Sequence, residues 1–211
     1  MYKKLSDEQL NNLIEAGIEE FSKKGYEKAN LSGIAKAAGM SVGVIYKYYA
    51  DKEALFLSCV RHCLNDLNDI LKDAAAKSTD VTDSVRSVIH ALILHARTHE
   101  NINRMYHEIT SLKDRDFTKD LAEEVEGLSA LVYTDLIRKA QADHQCRMDI
   151  DAPLFAFFFD NLFMMIQFSY CCDYYRERLK LYCGENIFDD DKRMEEELTK
   201  FLLGAVAPRD C

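Results

Sequence analysis

An all-α chain of about nine helices is what this sequence predicts, on three observations. Apolar residues recur at three- and four-residue intervals almost throughout. Only eight of the 211 residues are glycine and two are proline, too few to punctuate a protein of strands and turns. Hydrophobic residues make up 48%, enough to fill the core of one or two small domains.

The elements follow in order. Ser6 with Gln9 has the spacing of a capping box. Leu10, Leu13, Ile14, Gly17, Ile18 and Phe21 then share one helical face, which Gly25 ends as a left-handed cap. Asn30 is the N-cap of a second helix, Leu31 to Ala38, whose Ile34, Ala35 and Ala38 point inward. Gly33 costs that helix up to ~1 kcal/mol relative to alanine, so packing must hold it. Gly39 supplies a turn with positive φ, and Ser41 is placed to cap a third helix, Val42–Tyr48. On it Ile45 and Tyr49, four apart, face the core, leaving Val42, Gly43, Val44, Tyr46, Lys47 and Tyr48 to look outward. Asp51 caps a fourth helix. Its stripe of Leu55, Phe56, Cys59, Val60, Cys63, Leu67, Ile70, Leu71 and Ala74 makes one unbroken rod.

Residues 78–83 form a loop rich in N-cap candidates. Val85, Val88, Ile89, Leu92 and Ala96 mark a fifth helix, Asn101 to Leu112 a sixth, and Phe117 to Leu136 a seventh. Asp151 with Pro153 opens an eighth, expected to run to about Tyr182 and stop at Gly184. Met194, Leu198, Phe201, Leu202 and Ala205 give the ninth.

Charge is segregated. The net charge is −9, yet residues 1–60 carry eight Lys/Arg and eight Asp/Glu, so the whole acidic surplus lies in residues 61–211. Phosphate contact needs local positive groups and backbone N–H donors rather than a basic protein overall, so a neutral N-terminal region is compatible with modest DNA affinity. Seven cysteines without paired spacing suit a reducing cytoplasm. No signal peptide is read, and the most apolar run, Pro153 to Ile166, is interrupted by Asp160 and Asn161 and is too short to span a bilayer, so no membrane partner is expected.

Residues 34–49, followed at once by Asp51-Lys52-Glu53-Ala54-Leu55, carry the strongest functional signal: short helix, glycine turn, second short helix, capped third start. That is the layout of a helix-turn-helix, here about residues 30–49. Around it stand Ala16 to Phe21 with Lys24-Gly25-Tyr26, then Ile34-Ala35, Ala38-Gly39-Met40-Ser41, Gly43, Ile45-Tyr46, Tyr48-Tyr49 and Lys52 to Leu55. Together, at this spacing, residues 6–60 resemble the DNA-binding domain of TetR-type (tetracycline-repressor-like) bacterial transcription regulators. Beyond residue 60 only helical character and length fit that family. The resemblance implies a DNA-binding domain at 1–60 and a helical effector-binding and dimerisation domain at 61–211. It also implies a cytoplasmic homodimer, paired through the eighth and ninth helices. Such a dimer would bind a palindromic double-stranded operator, as a repressor in most such families, and be released by a small-molecule effector.

The same resemblance assigns the third helix to the major groove. Val42, Gly43 and Val44 then lie at its leading end, where the valines meet thymine methyls and Gly43 lets the backbone come close. Lys47 can donate to a guanine edge or a phosphate. Tyr46, Tyr48, Lys52, Asn30 and Ser32 are expected at backbone phosphates. Effector candidates are the polar residues set on otherwise apolar helices, Tyr106, His107, Asp135, Asp160, Asn161 and Gln167, together with Phe163. Asp160 among phenylalanines calls for an arginine, a helix terminus or a cationic ligand, so the effector is expected to be hydrophobic or hydrophobic-cationic.

His95 and His99 have metal-ligand spacing but no third partner at a recognisable interval, and Cys59 and Cys63 already fit a core stripe. Adjacent Cys171 and Cys172 rarely make a relaxed disulfide. No metal or cofactor is expected, and no catalytic set is visible, so an enzyme is the weakest class. Two rivals stay open: an all-α protein-interaction module acting through its acidic part, and a small-molecule- or metal-binding protein that has lost operator binding.

Overall fold

The computed structural model describes residues 4–76, 80–112 and 118–208. These form ten α-helices and one 3-10 helix, with no strand among the described residues. The helices are α1 (Asp7–Lys28), α2 (Leu31–Ala37), α3 (Val42–Tyr48), α4 (Lys52–Ala76), α5 (Val81–Thr98), α6 (Glu100–Ser111), α7 (Thr118–Ala142), α8 (Ala152–Cys171), α9 (Asp173–Cys183) and α10 (Asp191–Val206); the 3-10 helix Glu185–Asp189 precedes α10. The chain divides into two compact units. The first takes residues 1–66 together with 101–113, the second residues 67–100 with 114–211. Most of α6 thus belongs with the N-terminal unit, and the division falls within α4.

In the first unit α1 starts at the expected capping box, Ser6 accepting the Gln9 N–H at 3.2 Å while Gln9 accepts the Ser6 N–H at 3.1 Å. At Gly25, φ +74°, the backbone leaves helical geometry before one further turn to Lys28. The core gathers Leu13, Ile14, Ile18 and Phe21 of α1, Ile34 and Ala35 of α2, Ile45 of α3, Leu55, Phe56, Cys59 and Val60 of α4, and Met105 of α6. Phe56 meets Phe21 edge-on at 5.1 Å and Tyr26 at 4.9 Å. A methyl group on Gly17 would sit 2.6 Å from the Cys59 sulfur, so glycine is what lets α1 and α4 approach there. Burial pushes the Cys59 thiol far up, keeping it an inert core group.

The second unit packs α5, α7, α8 and α10 around Val88, Ile89, Leu92, Ile93, Tyr133, Ile137, Phe159, Phe163 and Leu202. Asp80, Asp151 and Asp190 cap α5, α8 and α10, each carboxylate accepting a backbone N–H three residues on. Here one expectation fails. The eighth predicted helix does not run to Tyr182; it breaks at Cys172 (φ −118°, ψ 123°) into α8 and α9, so the predicted ninth helix is α10. Tertiary contacts turn the chain. The Arg176 guanidinium donates to the Tyr170 carbonyl, lies 5.1 Å over the Phe188 ring, and so occupies the end of α8. The apolar pattern runs on through the break and gives no sign of it. Nearby, Asp191 accepts from the Tyr170 hydroxyl at 2.7 Å and from Arg97 at 2.6 Å, tying α8 and α5 to the start of α10. By length and composition α8 is apolar enough to cross a membrane, but Ala156, Phe159, Phe163 and Phe168 are buried inside the unit. Of the seventh helix, Phe117 lies outside the described residues.

Candidate nucleic-acid interface

The helix-turn-helix is built from backbone outward. After α2 the Met40 N–H bonds the Ala35 carbonyl at 2.8 Å and the Gly39 N–H bonds Lys36 at 3.2 Å, closing a turn that passes through Gly39 at φ +68°. A β-carbon there would meet nothing within 4 Å, so conformation rather than space demands glycine. Asn30 caps α2, accepting the Gly33 N–H at 2.8 Å, and its own amide donates to Glu20 at 3.1 Å. Gly33 has a packing reason: its missing side chain leaves room for Glu20, which a methyl group would meet at 3.1 Å. Ser41 is the N-cap of α3 by position but makes no side-chain cap bond, contrary to expectation, and it is exposed. The cause is visible in the backbone, where the Ser41 carbonyl, not its hydroxyl, takes the Val44 N–H at 2.9 Å.

Ile45 is the one residue of α3 that is fully buried; its neighbours Gly43, Tyr46 and Lys47 are exposed, with Val42 and Val44 half-buried at their sides. The exposed face of α2 presents Ser32 and, one turn on, Lys36. Lys36 was missed from sequence, although its place opposite buried Ile34 and Ala35 is a signal that helical spacing provides. Gly43 has no internal reason to be glycine: φ is ordinary, and an added methyl group would have only the Ser41 hydroxyl near it, at 3.9 Å.

Three expected phosphate contacts are engaged inside the unit. Lys52 donates to the carbonyls of Tyr26 at 2.7 Å, Glu27 at 3.2 Å and Ala29 at 3.3 Å, and its ammonium lies 4.7 Å over the Tyr26 ring. All three of its N–H donors are thereby used. The Tyr48 hydroxyl accepts the Leu5 N–H at 2.6 Å and the ring is half-buried. Asn30 is spent on its cap. Tyr49, expected in the core, is half-buried with its hydroxyl 3.3 Å from that of Ser58. The turn that Lys52 holds is gripped from its other side by Glu108 of α6, which accepts the Tyr26 N–H at 2.6 Å and stands where a Gly25 side chain would go.

The effector candidates fall into separate places. Tyr106 and His107 are half-buried on α6, in the first unit. Asp135 is exposed on α7, 3.9 Å from Arg138, and lines a half-open cleft of about 320 Å³ with Val81, Leu131, Leu136 and Lys139. The Asn161 amide donates to the Phe157 carbonyl of its own helix at 2.7 Å. Asp160, Phe163 and Gln167 fall on one face of α8, and the Phe163 ring packs 5.4 Å from that of Tyr133 on α7. Desolvation, with the like charge of Glu126 second, pushes the Asp160 carboxyl up to about 7. His95 stacks on His99 with ring centroids 4.7 Å apart, and among the described residues no group of three or more His, Cys, Asp or Glu is placed to hold a metal. The Cys171 and Cys172 sulfurs are 3.5 Å apart and not joined in a disulfide.

Residues 13–59 match the family model described as bacterial regulatory proteins, tetR family. The chain is 29% identical over 85 residues to the transcriptional activator FasR of Mycolicibacterium smegmatis, a match covering 40% of this chain and 39% of FasR. It thus spans less than half the length of that curated relative. The fold resembles that of the fatty acid degradation regulator FadR from Bacillus halodurans, with a TM-score of 0.75 at 18% identity over 92% of this chain and 98% of that one. It also resembles FadR from Bacillus subtilis, solved in complex with stearoyl-CoA, with a TM-score of 0.71 at 17% identity over 92% and 97%. These relatives are transcriptional regulators, not enzymes.

Proposed function

We propose that this chain, whose residues 13–59 match the model of the tetR family of bacterial regulatory proteins, is a cytoplasmic, ligand-responsive transcription regulator that binds a palindromic operator as a homodimer, acting as a repressor. The observation that carries the reading is α3, whose single fully buried residue, Ile45, anchors a face open at Gly43, Tyr46 and Lys47. A short helix so presented fits a major groove, and Gly43, unexplained within the chain, fits close approach by a second molecule. Val42 and Val44 meet thymine methyls, Tyr46 and Lys47 reach base edges or phosphates, and Ser32 with Lys36 rests on the adjoining backbone. Lys52, Tyr48 and Asn30 position this surface from behind instead of touching phosphate.

A single head makes few contacts, so pairing is required. We assign the pairing surface to α8 and α10, which expose Leu154, Phe157, Phe158 and Phe201, large apolar groups that a monomer would leave in water. The effector acts on the second unit, and α4, which runs through both, is the continuous element on which ligand and DNA impose different positions; the coupling is reciprocal. Electrophoretic mobility shift with the protein's own upstream DNA tests the reading. A retarded complex that weakens with added salt, and weakens further in Lys47→Ala, is expected. No complex at low salt, with a protein partner captured equally well by a chain lacking residues 1–60, would transfer the assignment to the protein-interaction rival.

A further inference from the structure

Within the second unit, α7 and α8 share a seam in which two polar groups of α8, Asp160 and Gln167, go uncompensated. Asp160 is half-buried on α8, and among the described residues neither a cation nor a hydrogen-bond donor offsets it; the nearby charge acting on it is Glu126 of α7, of the same sign. Two turns further along the same face, Gln167 is 4% exposed and its side-chain oxygen has no hydrogen-bond partner. Between them Phe163 is buried against Tyr133, which is 3% exposed. A buried acceptor without a donor and a partly desolvated carboxylate beside a like charge are both unfavourable in the isolated fold, and one incoming group relieves both. That group is positive, donates or is attracted to ring faces, and carries apolar substituents to lie along Phe163 and Tyr133. Asp160 keeps some solvent exposure, so the charged end can arrive from water.

We propose that the seam lined by Asp160, Glu126, Tyr133, Phe163 and Gln167 is the effector subsite, and that it selects a lipophilic cation. The inference rests on the ligand-responsive reading above and narrows it. An anionic head group, such as that of a fatty acid, meets the uncompensated Asp160 carboxyl here and is disfavoured. A permanent cation beside Asp160 also lowers its proton affinity. Near pH 7, where that carboxyl is about half protonated, binding therefore expels a fraction of a proton.

The test uses the full chain with tetraphenylphosphonium, decylammonium and oleate as probes, read by calorimetry in buffers of different ionisation enthalpy and by release of upstream DNA. At least one of the two cations should bind, with proton release near pH 7 that vanishes in Asp160→Asn, and binding should weaken tenfold or more in that variant. Gln167→Leu, which keeps the core filled, should weaken binding of decylammonium, whose N–H groups can serve the orphan oxygen, several-fold. If neither cation binds, or if Asp160→Asn binds as wild type with unchanged proton release, the proposal is overturned. If oleate alone releases the DNA, the cation proposal falls and the ligand-responsive reading stands. If a cation binds through Asp160 yet releases no DNA, the subsite stands and the regulatory reading falls.

Discussion

The two units differ in how fully their polar side chains are partnered. In the first, the polar side chains behind the helix-turn-helix are engaged: Lys52 holds three carbonyls, Glu108 the Tyr26 N–H, Asn30 the start of α2. In the second, Gln167 and Thr199 each bury an oxygen with no hydrogen-bond partner, and Asp160 stands near Glu126 without compensation. On the reading proposed above, the difference separates two kinds of work. A surface that presents a rigid probe spends its polar groups on internal order, whereas one that receives a molecule leaves some of them waiting for it.

The largest expected effect tests the rigid side. Phe56→Ala removes a fully buried ring that meets Phe21 and Tyr26, and should cost about 3–5 kcal/mol in urea unfolding. Next is Lys52→Ala. It leaves three carbonyls without their donor and should lower stability by about 1–3 kcal/mol, with DNA affinity falling while the slope of affinity against salt stays as in wild type. A flattened slope at unchanged stability would instead make Lys52 a phosphate contact.

On the receiving side, Asp160→Asn should stabilise the protein. The folded carboxyl titrates near 7 and the unfolded one near 3.8, so the folded state binds the extra proton and wild-type stability falls as pH rises through that window. The variant escapes the loss. It should exceed wild type by roughly 2 kcal/mol at pH 8, and the gap should close below pH 4. An equal difference at both pH values would show that Asp160 is not desolvated. The smallest change in fold is expected at Gly43→Ala, with stability within about 0.5 kcal/mol of wild type. Operator affinity should nevertheless drop about tenfold, a loss of about 1.4 kcal/mol at the DNA surface.

How far the sequence could be read follows from the range of the forces involved. Capping by Ser6, Asn30, Asp51 and Asp151, the turn at Gly39, and the bounds of α3 depend on neighbours three or four residues away, so a linear reading reaches them. What escaped depends on partners far along the chain. Arg176 meets Phe188 to break the eighth helix, Tyr48 meets Leu5, and Lys52 meets the turn at Tyr26. Lys52 is instructive, because the same ammonium serves a phosphate or a set of carbonyls, and only the fold decides which it meets. Asp160 was conspicuous among phenylalanines, but that it shares a face with Gln167's donorless oxygen, with Phe163 between them packed on Tyr133, required α7 to be laid against α8.

The claim that α3 is a probe for DNA, carried in pairs, is tested most directly by hydroxyl-radical footprinting of the protein on its own upstream duplex, with stoichiometry from sedimentation. Two protected patches, centred about one helical turn or a whole number of turns apart, with an even number of protomers per duplex and loss of both patches in Gly43→Trp, are the expected result. A single unpaired patch bound by one protomer, or protection that Gly43→Trp leaves intact, would contradict it.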